Sequence, residues 1–256
     1  MKKWIFILVT VIFIVLIISL TFDKKTPPQP MKTTSTTPSL TVRKQSITIN
    51  SEGTPLQVSW AAALPPQVSL YTNLTDKKIS NEIMAEKNCK ILINGGFYST
   101  TNTHLGLIVS NFETISPLIQ SSLFNGFLWI DSAGAKISAA SPQNTVRLAL
   151  QSGPLIMLNN QKLPLEIRND KPARRMIAAI DNNGLLVFIA IYNEKSKLQG
   201  PLLGQLPNII ESFKKKARIN IVDAINLDGG SASAFIAGDE SIRELAQIGS
   251  YFCIIN

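Results

Sequence analysis

Hydrophobic positions along the chain fall into one long unbroken run and a series of short ones. The long run, from Trp4 to Leu20, is apolar except for Thr10 and Ser19 and follows Lys2 and Lys3. As a helix rising about 1.5 Å per residue it approaches the thickness of a bilayer core, so it predicts one membrane span. Its exit, Ile18-Ser19-Leu20-Thr21-Phe22, carries neither a small-x-small cleavage site nor a lipobox cysteine, which favours an uncleaved signal-anchor over residues 1–22. Residues 23–45 hold Pro27, Pro28, Pro30 and Pro38 among Thr, Ser and Lys. That composition buries no core and reads as an extended linker. With the short N-terminal side inside, the rest of the chain is expected outside the cytoplasm, on a single-pass cell-membrane protein.

The short runs are β-branched or alternating and bounded by turn residues. They predict strands over 46–50, 56–61, 68–72, 90–94, 105–109 and 126–130, then over 155–158, 176–180, 185–191, 219–226, 234–237 and 251–255. Two segments have helical spacing. Over 76–86, Ile79, Ile83 and Met84 share a face and Asn88 can close the helix. Over 207–218, Ile209, Ile210, Phe213 and Ala217 form a stripe, with Pro207 suited to the first turn. No fixed repeat appears. Hairpin-like pairs with few helices predict an α+β domain over 46–256, with a mixed, largely antiparallel sheet core preceded by the transmembrane helix.

Charge adds a little. The 25 Lys and Arg against 17 Asp and Glu, a formal net charge of +8, admit an anionic partner. The one compact basic run, Lys214 to Lys216, has no interleaved aromatics, so it reads as a solvated helix face and no nucleic-acid partner is expected. The two cysteines, Cys89 and Cys253, border apolar runs and read as small buried hydrophobes, although a disulfide is allowed outside the cytoplasm. No His/Cys/Asp cluster has metal-ligand spacing, and no Walker or dinucleotide motif occurs. No cofactor is expected, and a single divalent cation on Asp228 stays open.

Polar groups crowd the ends of several predicted strands. The densest set is Asn226-Leu227-Asp228-Gly229-Gly230-Ser231-Ala232-Ser233. Paired glycines let successive N–H groups converge on an anion beside a carboxylate, although a simple Asp-Gly turn has the same pattern. A second set, Asn94-Gly95-Gly96-Phe97-Tyr98, ends the strand at 90–94 and leads into a Ser/Thr-rich loop with the only histidine, His104. Gln151-Ser152-Gly153-Pro154 and Arg174-Arg175 precede two further apolar runs.

In order and spacing these pieces resemble the phosphodiester glycosidase family, over roughly residues 91–256. The Asn226–Ser233 loop is the most specific of them. Ala179 and Ala232 stand where that family tends to have Gly, or Gly and Ser, both small-for-small changes. The resemblance implies hydrolysis of the bond between a sugar's anomeric carbon and a phosphodiester oxygen. Such chemistry needs one group to stabilise or attack an oxocarbenium-like centre and donors for the departing phosphate.

Asp228 suits the first role. Arg175, with its planar fork, suits the second, helped by the N–H groups of Gly229, Gly230 and Ser231. Asn94 and Asn226 then orient sugar or phosphate, or bond their own turns; Gly95, Gly96 and His104 complete the expected substrate contacts. Asp223, about 16 Å from Asp228 along an extended strand, lies too far to pair with it as glycosidase carboxylates do and reads as structural. The competing function is a non-catalytic surface module that binds glycans or phosphopolymers with the same turn.

Overall fold

The computed structural model describes residues 45–255. The expected signal-anchor over 1–22 and the linker up to residue 44 lie outside the described residues. No helix among the described residues is long and apolar enough to cross a membrane.

Three antiparallel sheets build the domain. The largest has seven strands in the order β1 (Gln45–Ser51), β2 (Thr54–Ala63), β13 (Leu186–Asn193), β12 (Arg175–Asp181), β14 (Ile221–Asn226), β10 (Leu155–Leu158) and β11 (Gln161–Lys162). A second runs β16 (Glu240–Ile242), β15 (Phe235–Ala237), β4 (Ile91–Asn94), β17 (Ser250–Ile254) and β3 (Val68–Thr72). The third runs β6 (Glu113–Ser116), β5 (Ile108–Ser110), β9 (Leu148–Ser152), β7 (Gly126–Asp131) and β8 (Gly134–Ser138). Two α-helices accompany them among the described residues, α1 (Ser80–Lys87) and α2 (Leu206–Ala217). The α+β reading with a largely antiparallel core thus describes the domain.

Burial explains why the central strands are apolar at every position. On β12, Met176, Ala178 and Ile180 face a core shared with the two smaller sheets, while Ile177 and Ala179 face α2. On β13, Phe188 and Tyr192 point to the first core, and Val187, Ile189 and Ile191 point to the second. A strand covered on both faces loses the period-two alternation of a half-exposed one. Helix α2 inserts Ile209, Ile210 and Phe213 into that second core, with Phe213 edge-on to Trp60 at 5.0 Å. Its lysines end on the rim, and Arg218, at φ 57°, turns the chain out of the helix.

The differences from expectation have local causes. Helix α1 begins at Ser80, four residues later than the periodicity predicts. Asn73 first ties down a turn, accepting the Lys78 N–H at 3.0 Å and donating to the Lys78 carbonyl at 2.9 Å, and Lys77 takes φ 53°. Asn88 closes the helix with φ 53°. Strands β6, β8, β9, β11 and β16 are not among the predicted ones: β6, β8, β11 and β16 are short and mostly polar, and Gln151 and Ser152 look like turn residues although β9 runs through them. Cys89 and Cys253 are buried but are bonded to each other, with Cα atoms 5.3 Å apart across 164 residues of chain. This corrects their reading as free hydrophobes and staples the end of α1 to β17.

Candidate active site

Strand β14 delivers Asn226 at the edge of the core, Leu227 plugs that core with no exposure, and the chain then turns through Asp228 into a 3-10 turn at Gly230–Ala232. Three neighbours hold this turn. The Asp228 N–H donates to the Gly95 carbonyl at 3.0 Å, and Asn94 Nδ2 donates to the Asp228 carbonyl at 2.8 Å. The third is Arg174, which is 2 % exposed. Its Nε donates to the Gly230 carbonyl at 2.6 Å and its Nη2 to the Ser231 carbonyl at 3.3 Å, while its own carbonyl accepts the Gly230 N–H at 3.0 Å. Gly230 adopts φ +64°, a left-handed geometry that glycine takes without cost.

The Asp228 carboxyl is thereby fixed, with Oδ1 accepting the Gly229 N–H at 2.8 Å. Burial pushes its pKa up to about 7, and that one backbone hydrogen bond opposes the rise only in part. The carboxyl faces a cleft of about 360 Å³ that it shares with Asn226, Arg175, Asp170, Lys171 and the apolar Phe97. Asp170 is the other carboxylate there, and it is occupied: Oδ1 accepts the Leu203 N–H at 3.0 Å and Oδ2 the Gly204 N–H at 2.8 Å. Among the described residues Asp228 is therefore the cleft carboxyl with an oxygen that accepts no hydrogen bond.

Arg175 faces it. Its Nε donates to the Pro201 carbonyl at 3.1 Å and its Nη2 to the Lys171 carbonyl at 2.6 Å, with Asp170 Oδ1 at 3.4 Å. Nη1 has no protein partner among the described residues and would lie 4.0 Å from a Cβ placed on Gly229. Burial lowers the guanidinium pKa and Asp170, its ion-pair partner, raises it in part. Asn226 is 3 % exposed. Its Nδ2 donates to the Gly153 carbonyl at 2.9 Å, and its Oδ1 is buried with no partner among the described residues. A buried acceptor left open at a cleft wall is a place for a ligand's donor.

Asp228, Arg175, Asn226, Gly229 and Gly230 thus meet around one cleft. The others stand elsewhere. Asn94 has no free end, since its Oδ1 also accepts the Ala234 N–H at 2.9 Å, so it braces the turn in place of the expected substrate contact. Gly95 and Gly96 pack behind it; a Cβ on Gly95 would lie 2.5 Å from Ser250 Oγ, so its role is close packing. The Gly229 N–H is spent on Asp228 Oδ1 and the Gly230 N–H on the Arg174 carbonyl, so the two do not converge on an anion. Ser231 is exposed outside the cleft lining. His104 is bridged to Tyr98, also off the lining, with Nδ1 buried and without a partner among the described residues and its pKa lowered by burial.

Fully extended reach also leaves Asp223 apart, where its Oδ1 accepts the Asn159 N–H at 2.8 Å. Among the described residues no group of three His, Cys, Asp or Glu side chains is placed to hold a metal ion. On sequence alone, Arg174 is named only together with Arg175 and given no role of its own, and Asp170 is left out of the site. Arg174 lies just before β12 and bonds the Asp228 turn, off the cleft lining. Asp170 lies in an irregular segment without a motif.

The model of the phosphodiester glycosidase family matches residues 87–251. Among solved structures, the zebrafish N-acetylglucosamine-1-phosphodiester alpha-N-acetylglucosaminidase catalytic domain, auto-inhibited by its pro-peptide, superposes with a TM-score of 0.63 at 17% identity, covering 84% of this chain and 82% of that one. A hypothetical protein from Synechocystis gives a TM-score of 0.54 at 14% identity, covering 82% of this chain and 61% of that one. A putative exported protein from Burkholderia pseudomallei gives 0.55 at 10% identity, covering 80% and 75%. At these identities the likeness is one of fold. No curated protein matches the sequence.

Proposed function

The chain belongs to the phosphodiester glycosidase family, and we propose that it hydrolyses the glycosidic bond of a sugar-1-phosphodiester outside the cytoplasm. The observation that carries this reading is the presence, in one cleft, of the Asp228 carboxyl and the Nη1 of Arg175, which has no partner among the described residues. In the proposed reaction the bond from the anomeric carbon to the phosphate oxygen breaks, and its electron pair leaves with the phosphate monoester. Water supplies the new anomeric hydroxyl, and its remaining proton passes to solvent or to the carboxyl.

A phosphate monoester is a good leaving group, so one carboxyl and a cation suffice where ordinary glycosidases need two carboxylates. Ionised Asp228 stabilises or attacks the positive anomeric centre. Arg175 Nη1 donates to the departing phosphate, with Lys171 at the cleft rim adding positive charge. Asn226 Oδ1 accepts from a sugar hydroxyl, the donor that its buried lone pairs lack.

The Cys89–Cys253 disulfide supports an oxidising compartment. The run from Trp4 to Leu20 supports a membrane anchor, and retention of the native protein in the membrane fraction at high salt tests it. For the activity, the purified full chain is incubated with an N-acetylglucosamine-1-phosphodiester, the substrate class that names the zebrafish relative, and free sugar and phosphate monoester are measured. Binding without product would establish the glycan-binding module in place of the hydrolase.

A further inference from the structure

We infer that the group beyond the phosphate is an apolar chain, so that the cleft takes a sugar phosphate esterified to a lipid-like alcohol. The inference rests on the hydrolase reading above and specifies its substrate. The cleft lining holds five apolar side chains, Phe97, Leu123, Ile167, Ala173 and Leu203, beside its charged groups. On the carboxyl side stand Phe97, two residues beyond the Gly95 carbonyl that holds Asp228, and Leu123; Phe97 stacks on Phe124 at 4.7 Å. That wall is suited to the C–H face of the sugar, next to Asn226 Oδ1.

A second apolar wall adjoins Arg175. It comprises Ile167 and Ala173, on the segment between β11 and β12, and Leu203. Asp170 fastens this segment through the Leu203 and Gly204 N–H groups, and the Lys171 carbonyl takes Arg175 Nη2. Asp170 and most of the Arg175 donors are engaged in doing so. Both Asp170 oxygens are occupied, and Arg175 retains only Nη1, which the phosphate takes. Asn169 and Lys171 are exposed at the rim.

A sugar aglycone laid against Ile167, Ala173 and Leu203 would bury hydroxyls without partners, whereas an alkyl chain gains from every methylene it removes from water. A domain tethered by the run from Trp4 to Leu20 would also work where such alcohols concentrate.

The test uses the full chain and a set of N-acetylglucosamine 1-phosphate esters that share the sugar and differ in the alcohol: methyl, butyl, hexyl and glucos-6-yl. The account expects kcat/KM to rise about ten-fold or more from methyl to hexyl, and the hexyl ester to exceed the glucos-6-yl ester. Ile167→Ser should shrink the hexyl-to-methyl ratio. Rates independent of chain length, or a preference for the glucos-6-yl ester, would overturn the apolar aglycone and leave the hydrolase standing. An unchanged ratio in Ile167→Ser would overturn the assignment of the wall. Failure of every ester would remove the hydrolase reading and this inference with it.

Discussion

Asn94 and Asp228, 134 residues apart in sequence, are joined by a 2.8 Å hydrogen bond from the Asn94 amide to the Asp228 carbonyl. The same amide accepts the Ala234 N–H, so one buried side chain fixes the Asp228 turn against both β4 and the chain that follows it. Asn94→Ala leaves two buried backbone groups unpaired at about 1–3 kcal/mol each. It should lower the melting temperature and reduce kcat at least ten-fold at temperatures where the variant is folded. Wild-type kcat in folded Asn94→Ala would show that this bond does not position the carboxyl.

Arg174 acts on the same turn from the other side, through the Gly230 and Ser231 carbonyls. Arg174→Met keeps the bulk and removes both donors, so kcat should fall while KM changes little. Arg174→Lys, which restores one donor and the charge, should recover part of the loss. Equal kcat for the two variants at equal melting temperature would leave Arg174 a packing residue.

Stability should carry the signature of a carboxyl buried without a charge partner. Folded Asp228 takes up its proton near pH 7 and an unfolded one near pH 4, so folding binds a proton between those values. The native state is then most stable below pH 4 with respect to this group, and stability declines as pH rises towards 7. Asp228→Asn removes that loss. Thermal denaturation at pH 8 should show the variant more stable than wild type, by up to ~4 kcal/mol from the shift between the two values, with the gap closing at pH 4. Curves that stay parallel across this range would mean that the carboxyl is not desolvated.

The disulfide closes a loop of 164 residues. Replacing both cysteines by Ala should cost about 2–5 kcal/mol, read as a lowered denaturation midpoint, and a reducing agent should lower the wild-type midpoint to a similar extent. A wild-type midpoint indifferent to reductant would mean that the bond is absent from the native protein.

Much of the fold is legible in the sequence because burial leaves a simple trace. Val187 to Ile191 are apolar at every position since both faces of β13 are covered, and the Ile209, Ile210 and Phe213 stripe gives α2 directly. Edge strands such as β8, Gly134–Ser138, carry no such trace, because solvent on one side accepts polar residues. At the site, Asp228 and Arg175 were legible from motif and chemistry. The direction of the asparagine amides was not: Asn94 and Asn226 both end strands before glycines or near them, yet one has both ends engaged and the other leaves Oδ1 open. Only neighbours distant in sequence, Ala234 and Gly153, decide between them.

The central claim is that ionised Asp228 carries out hydrolysis from the floor of this cleft. The most direct measurement is the pH profile of kcat/KM for hydrolysis of an N-acetylglucosamine-1-phosphodiester by wild type and Asp228→Asn, on protein shown to be folded at each pH. With burial holding the carboxyl pKa at about 7, wild-type activity should rise through that pH to a plateau. The variant, which keeps the size of the side chain and an acceptor for the Gly229 N–H, should lose at least a thousand-fold at the plateau, on the order of 4 kcal/mol of transition-state stabilisation. A folded Asp228→Asn that turns over substrate at the wild-type rate with the same acidic limb would contradict the account.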